Sequence, residues 1–173
     1  TGSVATKIKR NLLELGQLWA QEGQKGLSTF LGIPMRITLE PMEKPVYPPN
    51  FLYFSCQHQR NYCLLALDQN MVLLILEHLL KGIDNSPTSL TVIEKKLVTR
   101  AAKQLIPPWF GGELEPISPK KPSVVPSHLM QFTCHGGTRV GTYVVYLSPE
   151  FVLNRAWEGE KELFVTAGLG KAT

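Results

Sequence analysis

Two short stretches decide how this chain is read: Tyr62-Cys63-Leu64-Leu65-Ala66-Leu67, followed by Asp68, and Thr142-Tyr143-Val144-Val145-Tyr146-Leu147, followed by Ser148. Each is an extended apolar run rich in aromatic or β-branched residues, and each ends on a residue able to cap the helix that follows it. Working outward, the same order recurs around both: helix, three strands, helix. One half spans residues 4–82 and the other 90–157. The fold class predicted is α/β (α+β), a pseudo-two-fold repeat of helix, three strands and helix. Its central, largely antiparallel sheet of about six strands carries two long helices lying side by side.

In the first half, Ile8, Leu12, Leu15, Leu18 and Trp19 make one apolar stripe at helical spacing, predicting a helix from about Val4 to Leu31. Gly23 and Gly26 predict a kink or break within it, and Gly32 and Pro34 its end. Met35 to Leu39 alternates as a strand does. Phe51 to Cys56 and Tyr62 to Leu67 read as a hairpin, and the segment from Met71 to Leu80 is apolar almost all round, as a buried helix is. Ile83 to Ser89 is the expected linker.

The second half opens with Thr91-x-x-Glu94, a capping box in which hydroxyl and carboxylate satisfy each other's exposed amides. Pro107-Pro108 ends that helix. Gly111 to Ile117 reads as a short strand, and Leu129 to Cys134 with Thr138 to Leu147 as a hairpin turned at Gly136-Gly137. Ser148-Pro149-Glu150 starts the last helix, with Ser148 as its cap. Residues 159–173 are expected to form a tail with a strand-length remnant at Leu163 to Val165, and Thr1-Gly2-Ser3 to be a tag remnant.

With 173 residues, 43% hydrophobic and 18% charged, the chain is a globular domain with a sizeable core. A net charge of +4 with scattered Lys and Arg lacks the dense basic stripe of a nucleic-acid protein. No run is long enough to span a bilayer, so any membrane contact is expected through partners and not by direct insertion. Cys56, Cys63 and Cys134 each fall in a strand-like segment, which predicts reduced, buried thiols and an intracellular protein. No ligand spacing for a metal is present, and no cofactor is expected. Ser55, Cys56 and His58 alternate across a strand and make no catalytic set. Trp109-Phe110, beside Pro107-Pro108, is expected to be exposed or half-buried, as a docking patch or a helix-end clamp.

Three stretches carry a resemblance to a known family: Leu27-Ser28-Thr29-Phe30-Leu31-Gly32-Ile33-Pro34-Met35-Arg36-Ile37, Leu65 through Gly82, and Leu90-Thr91-Val92-Ile93-Glu94-Lys95-Lys96-Leu97-Val98 with Trp109 beyond. Over residues 15–157 the chain resembles the middle domain of the flagellar switch protein FliM, of the CheC/CheX/FliM fold group. The resemblance implies a non-enzymatic building block of a cytoplasmic ring, peripheral to the inner membrane. It would self-associate and meet FliG-like and FliN-like proteins, with a CheY-like response regulator as a further partner. It implies protein contacts at Gly82, Ile83, Asp84, Asn85, Trp109, Phe110, Gly111 and Gly112, and along the exposed face of the second long helix. The family's Gly-Gly-x-Gly loop for FliG reads Lys81-Gly82-Ile83-Asp84 here, with only Gly82 matching. This departure leaves a FliM-like subunit of a type III secretion platform as an alternative. The family's other branch implies a phosphatase of response regulators, with a Glu and an Asn three residues apart on one helix face. Glu94 is followed by Leu97, and Glu14 by Gln17, an amide of a different length, so Glu14 and Gln17 are the candidate catalytic pair of that alternative.

Overall fold

The computed structural model describes residues 2–41, 52–58, 61–80, 90–116 and 128–166. Five helices, α1 (Gly2–Leu31), α2 (Gln69–Leu79), α3 (Val92–Lys103), α4 (Pro149–Leu153) and α5 (Ala156–Thr166), accompany six strands. The strands are β1 (Arg36–Glu40), β2 (Leu52–His58), β3 (Asn61–Leu67), β4 (Glu113–Pro116), β5 (His128–Gly136) and β6 (Arg139–Leu147), with a 3-10 turn at Pro108–Phe110.

All six strands form one antiparallel sheet in the order β1-β5-β6-β3-β2-β4. Exchanging the halves (β1 with β4, β2 with β5, β3 with β6) returns the same order reversed, which is the two-fold repeat. The dyad runs through the pair Leu65↔Val145 at the centre of the β3–β6 ladder. The two echoing runs are thus the central strands, and Cys63 to Leu67 and Tyr143 to Leu147 are buried throughout. Alternation sends Cys63, Leu65, Leu67, Tyr143, Val145 and Leu147 into the main core. Leu64, Ala66, Val144 and Tyr146 join Tyr53 in a second cluster on the opposite face. The first strand of each half pairs with the hairpin of the other: β1 with β5, and β4 with β2.

Asp68 fixes α2 to the sheet. Its carboxylate accepts from Met71 N at 2.7 Å, capping α2, and from Thr142 N at 3.1 Å on β6. The Thr91–Glu94 capping box is formed in both directions, at 3.1 and 2.8 Å.

Three expectations are corrected. Helix α1 runs unbroken through Gly23 and Gly26. At Gly26 a Cβ would stand 2.9 Å from the carbonyl oxygen of Gln104, so the glycine permits close approach to the end of α3 and produces no break. The two long helices meet there, α1 with 30 residues and α3 with 12. Ser148 occupies the cap position of α4 without a side-chain hydrogen bond. Pro149 at the first helical position already sets the φ that starts the helix, and the N–H it lacks is one of those that have no intrahelical partner. Leu163 to Val165 lies in helix α5, Ala156–Thr166, and not in a strand. Trp157 and Phe164 pack onto the core and hold it.

Candidate functional site

The region around α1 is organised by Arg155. This residue has a φ of 52°, left-handed backbone that a non-glycine residue rarely adopts, at the junction of α4 and α5. The conformation aims its guanidinium at α1. There it grips Glu14 with two hydrogen bonds of 2.8 and 2.6 Å, donates to Asn11 Oδ1 at 3.1 Å, and also binds Glu158. Its guanidinium carbon lies 4.9 Å from the Trp157 ring centroid. Asn11, 1% exposed, donates to the carbonyls of Val152 at 3.0 Å and Leu153 at 3.4 Å, satisfying the last turn of α4. Glu14 and Gln17 are both on the exposed side of α1, and Glu14's carboxylate is engaged by Arg155.

The signal for Asn11 was in the sequence. It stands three residues after Ile8 and four before Leu15, a polar residue on an apolar stripe. Truncating it is expected to leave those α4 carbonyls without their donor. Asn11→Ala should lower stability by about 1–3 kcal/mol, read from urea midpoints at unchanged slope.

The Arg155 hydrogen bonds hold both Glu14 and Glu158 below the usual carboxylate range. A carboxyl whose folded pKa is depressed adds stability above its unfolded pKa and loses it as pH falls through the folded one. In carboxyl-detected NMR titrations, both are therefore expected to titrate below normal and to return toward the normal value in Arg155→Gln. Equal midpoints in the two proteins would refute the assignment.

A second feature is a groove of about 810 Å³. Its walls are the C-terminal half of α1, with Lys25 and Phe30, and helix α5, with Lys161 and Phe164. Ile106, Pro107 and Trp109 line it from the end of α3, and Cys56 lines it from the sheet. Lys103 stands at its margin, paired at 3.8 Å with exposed Glu113. Glu22 lines the groove as well, so it carries both signs of charge around an apolar interior.

The corner Pro107 to Gly112 borders this groove. Trp109 and Phe110, expected to be exposed or half-buried, are buried at 6% and 0%. They pack edge-on against Trp19 of α1 at 6.0 and 5.6 Å, so the pair acts as a clamp. Gly111 and Gly112 both have φ of 80°, and a Cβ on Gly112 would stand 2.6 Å from the carbonyl oxygen of Gln57. Only glycine suits that turn. Of the predicted contact residues, Gly111 is half-buried and Gly112 exposed. Gly82, Ile83, Asp84 and Asn85 lie outside the described residues. Among the described residues no group of three or more His, Cys, Asp or Glu could hold a metal, and no helix is long and apolar enough to cross a membrane.

This architecture, a two-fold sheet of six antiparallel strands with helices against it, is the fold of FliM-type flagellar switch domains. Among solved structures, a FliY from Thermotoga maritima matches with a TM-score of 0.64 at 15% identity, covering 90% of this chain and 96% of that one. FliM in a FliG–FliM complex from H. pylori matches at 0.61 and 13% identity, covering 85% and 97%. FliM in a FliM–SpeE complex from the same organism matches at 0.58 and 16% identity, covering 94% and 96%. No protein-family model and no curated protein sequence matches the chain.

Proposed function

We propose that this chain is a non-enzymatic structural and protein-interaction domain of a FliM-like cytoplasmic ring. It would associate side to side with its own copies and dock FliG-like and FliN-like partners, which hold it at the inner membrane. The observation that carries the reading is coverage: the fold match spans 94% of this chain and 96% of a FliM chain, so little of either lies outside the shared scaffold. The FliM of one matching structure is in complex with FliG, which makes a FliG-like partner the first to test. Glu14's engagement by Arg155 favours a structural over a catalytic role for α1. Switching would then work through contacts between subunits, where a few kcal/mol decide which state prevails.

The test is co-purification from native lysate, with subunits identified by mass spectrometry. Recovery of FliG-like and FliN-like rotor subunits supports the reading. Recovery of secretion-platform subunits would keep the scaffold role and move it to a type III injectisome. Recovery of a CheY-like response regulator alone, with phosphate release that is lost in a Glu14→Ala, Gln17→Ala double variant, would overturn it in favour of a phosphatase.

A further inference from the structure

Cys56 on β2 and Cys63 on β3 are direct cross-strand partners, and both belong to the main core. Directly opposed side chains on one face of an antiparallel pair have Cβ atoms about 4.5–5.5 Å apart. A disulfide needs about 3.5–4.5 Å, so a small approach of the strands closes it. Cys63 donates to Cys56, which draws the Cys56 thiol down and, with burial, pushes Cys63 up. Access differs between them. Both are buried, but Cys56, 2% exposed, reaches the groove lining and donates to the Gly111 carbonyl at 3.3 Å, whereas Cys63, 0% exposed, does not line it.

We propose that Cys56 and Cys63 form a peroxide-reactive dithiol, with Cys56 attacking from the groove and Cys63 resolving from behind it. In the first step the Cys56 sulfur attacks one oxygen of hydrogen peroxide. The S–O bond forms as the O–O bond breaks, and the departing hydroxide takes the Cys56 proton and leaves as water. The Cys63 sulfur then attacks the sulfenic sulfur. The S–S bond forms as S–O breaks, and the second hydroxide leaves as water with the Cys63 proton. Peroxide gains two electrons and two thiols become one disulfide. Oxidation also removes the thiol that donates to Gly111, so the reaction reaches the corner bordering the groove.

Cys134 is the internal control. Burial pushes it up to about 12, and its cross-strand partners are Ile37 and Gly141, neither of which offers a sulfur. The experiment treats the intact chain with hydrogen peroxide, alkylates free thiols and maps the unreduced digest by mass spectrometry. The expected result is loss of two of the three free thiols. The peptides of Cys56 and Cys63 should be linked within one chain and two hydrogens lighter, with Cys134 still alkylated after unfolding. In Cys63→Ala, dimedone should then trap Cys56 as a sulfenic acid. Oxidation of Cys134 before the pair, a link between chains, or a link formed only in denaturant would overturn the proposal. The mapping on the unaltered chain decides it even if the variant does not fold.

Discussion

Trp19→Ala is expected to lower stability by about 3–5 kcal/mol, the cost of emptying a filled aromatic site in a core. Trp19 is 0% exposed and stands at the middle of α1. Its ring is the hub of an aromatic chain. Trp109 and Phe110 abut it edge-on, Phe110 meets Phe151 of α4 at 5.5 Å, and Phe151 meets Trp157 of α5 at 6.1 Å. Removing the hub therefore loosens the contacts that seat the 3-10 turn, α4 and α5 around the groove. A conservative control separates packing from polarity. Among the described residues the buried Trp19 indole N–H has no hydrogen-bond partner, so Trp19→Phe forfeits volume but no such hydrogen bond, and should cost clearly less than alanine. For a domain of this length the alanine variant should melt about 10 °C lower. Equal melting temperatures for Phe and Ala would count against the packing account.

Gly141→Val is expected to cost about 3 kcal/mol by the opposite mechanism, overpacking. A Cβ at residue 141 would lie 2.5 Å from Met71 Cα and 2.8 Å from its sulfur. The sulfur could swing away, but the backbone atom could not. Met71 sits in the first turn of α2, whose position is set by Asp68 bridging that turn and Thr142. Relief of the clash must lift α2 from β6 and stretch that bridge. The readout is a fall in denaturant midpoint together with faster exchange of the Met71 and Thr142 amides. Unchanged protection at both would show that the helix had not moved.

These two sites also mark what the sequence made legible. The central strands were readable because a strand buried on both faces must be apolar at consecutive positions, and Cys63 to Leu67 and Tyr143 to Leu147 are. Asp68 and the Thr91–Glu94 box were readable because capping is local chemistry. The exchange of β1 and β4 between halves was not readable. A strand's alternation tells which face it buries and carries nothing about which neighbour's edge it joins. The burial of Trp109 and Phe110 is not legible for a related reason. The residues that bury them come from α1 and α4, far off in sequence, while the local Pro-Pro and Gly-Gly signals speak only of a turn. Helix α5 is not legible as a helix, because Gly159 and a run of charges mask the packing of Trp157 and Phe164. Arg155 left no trace at all, since its task depends on a left-handed backbone and on carboxylates and an amide from α1.

The exchanged edge strands have a consequence for how the molecule comes to exist. Each half hands its first strand to the other, so neither owns a finished sheet. A half on its own would present an open ladder edge, the kind of edge that invites pairing with another chain. Two identical halves would satisfy each other by trading strands, as in a domain-swapped homodimer. Covalently joined, the same trade becomes internal and leaves one cooperative unit. Its assembly waits on pairings between residues as distant as Arg36 and His135, a topology that folds slowly and all at once. The two-fold in the sheet is thus the form a symmetric dimer takes when it is fused into a single chain.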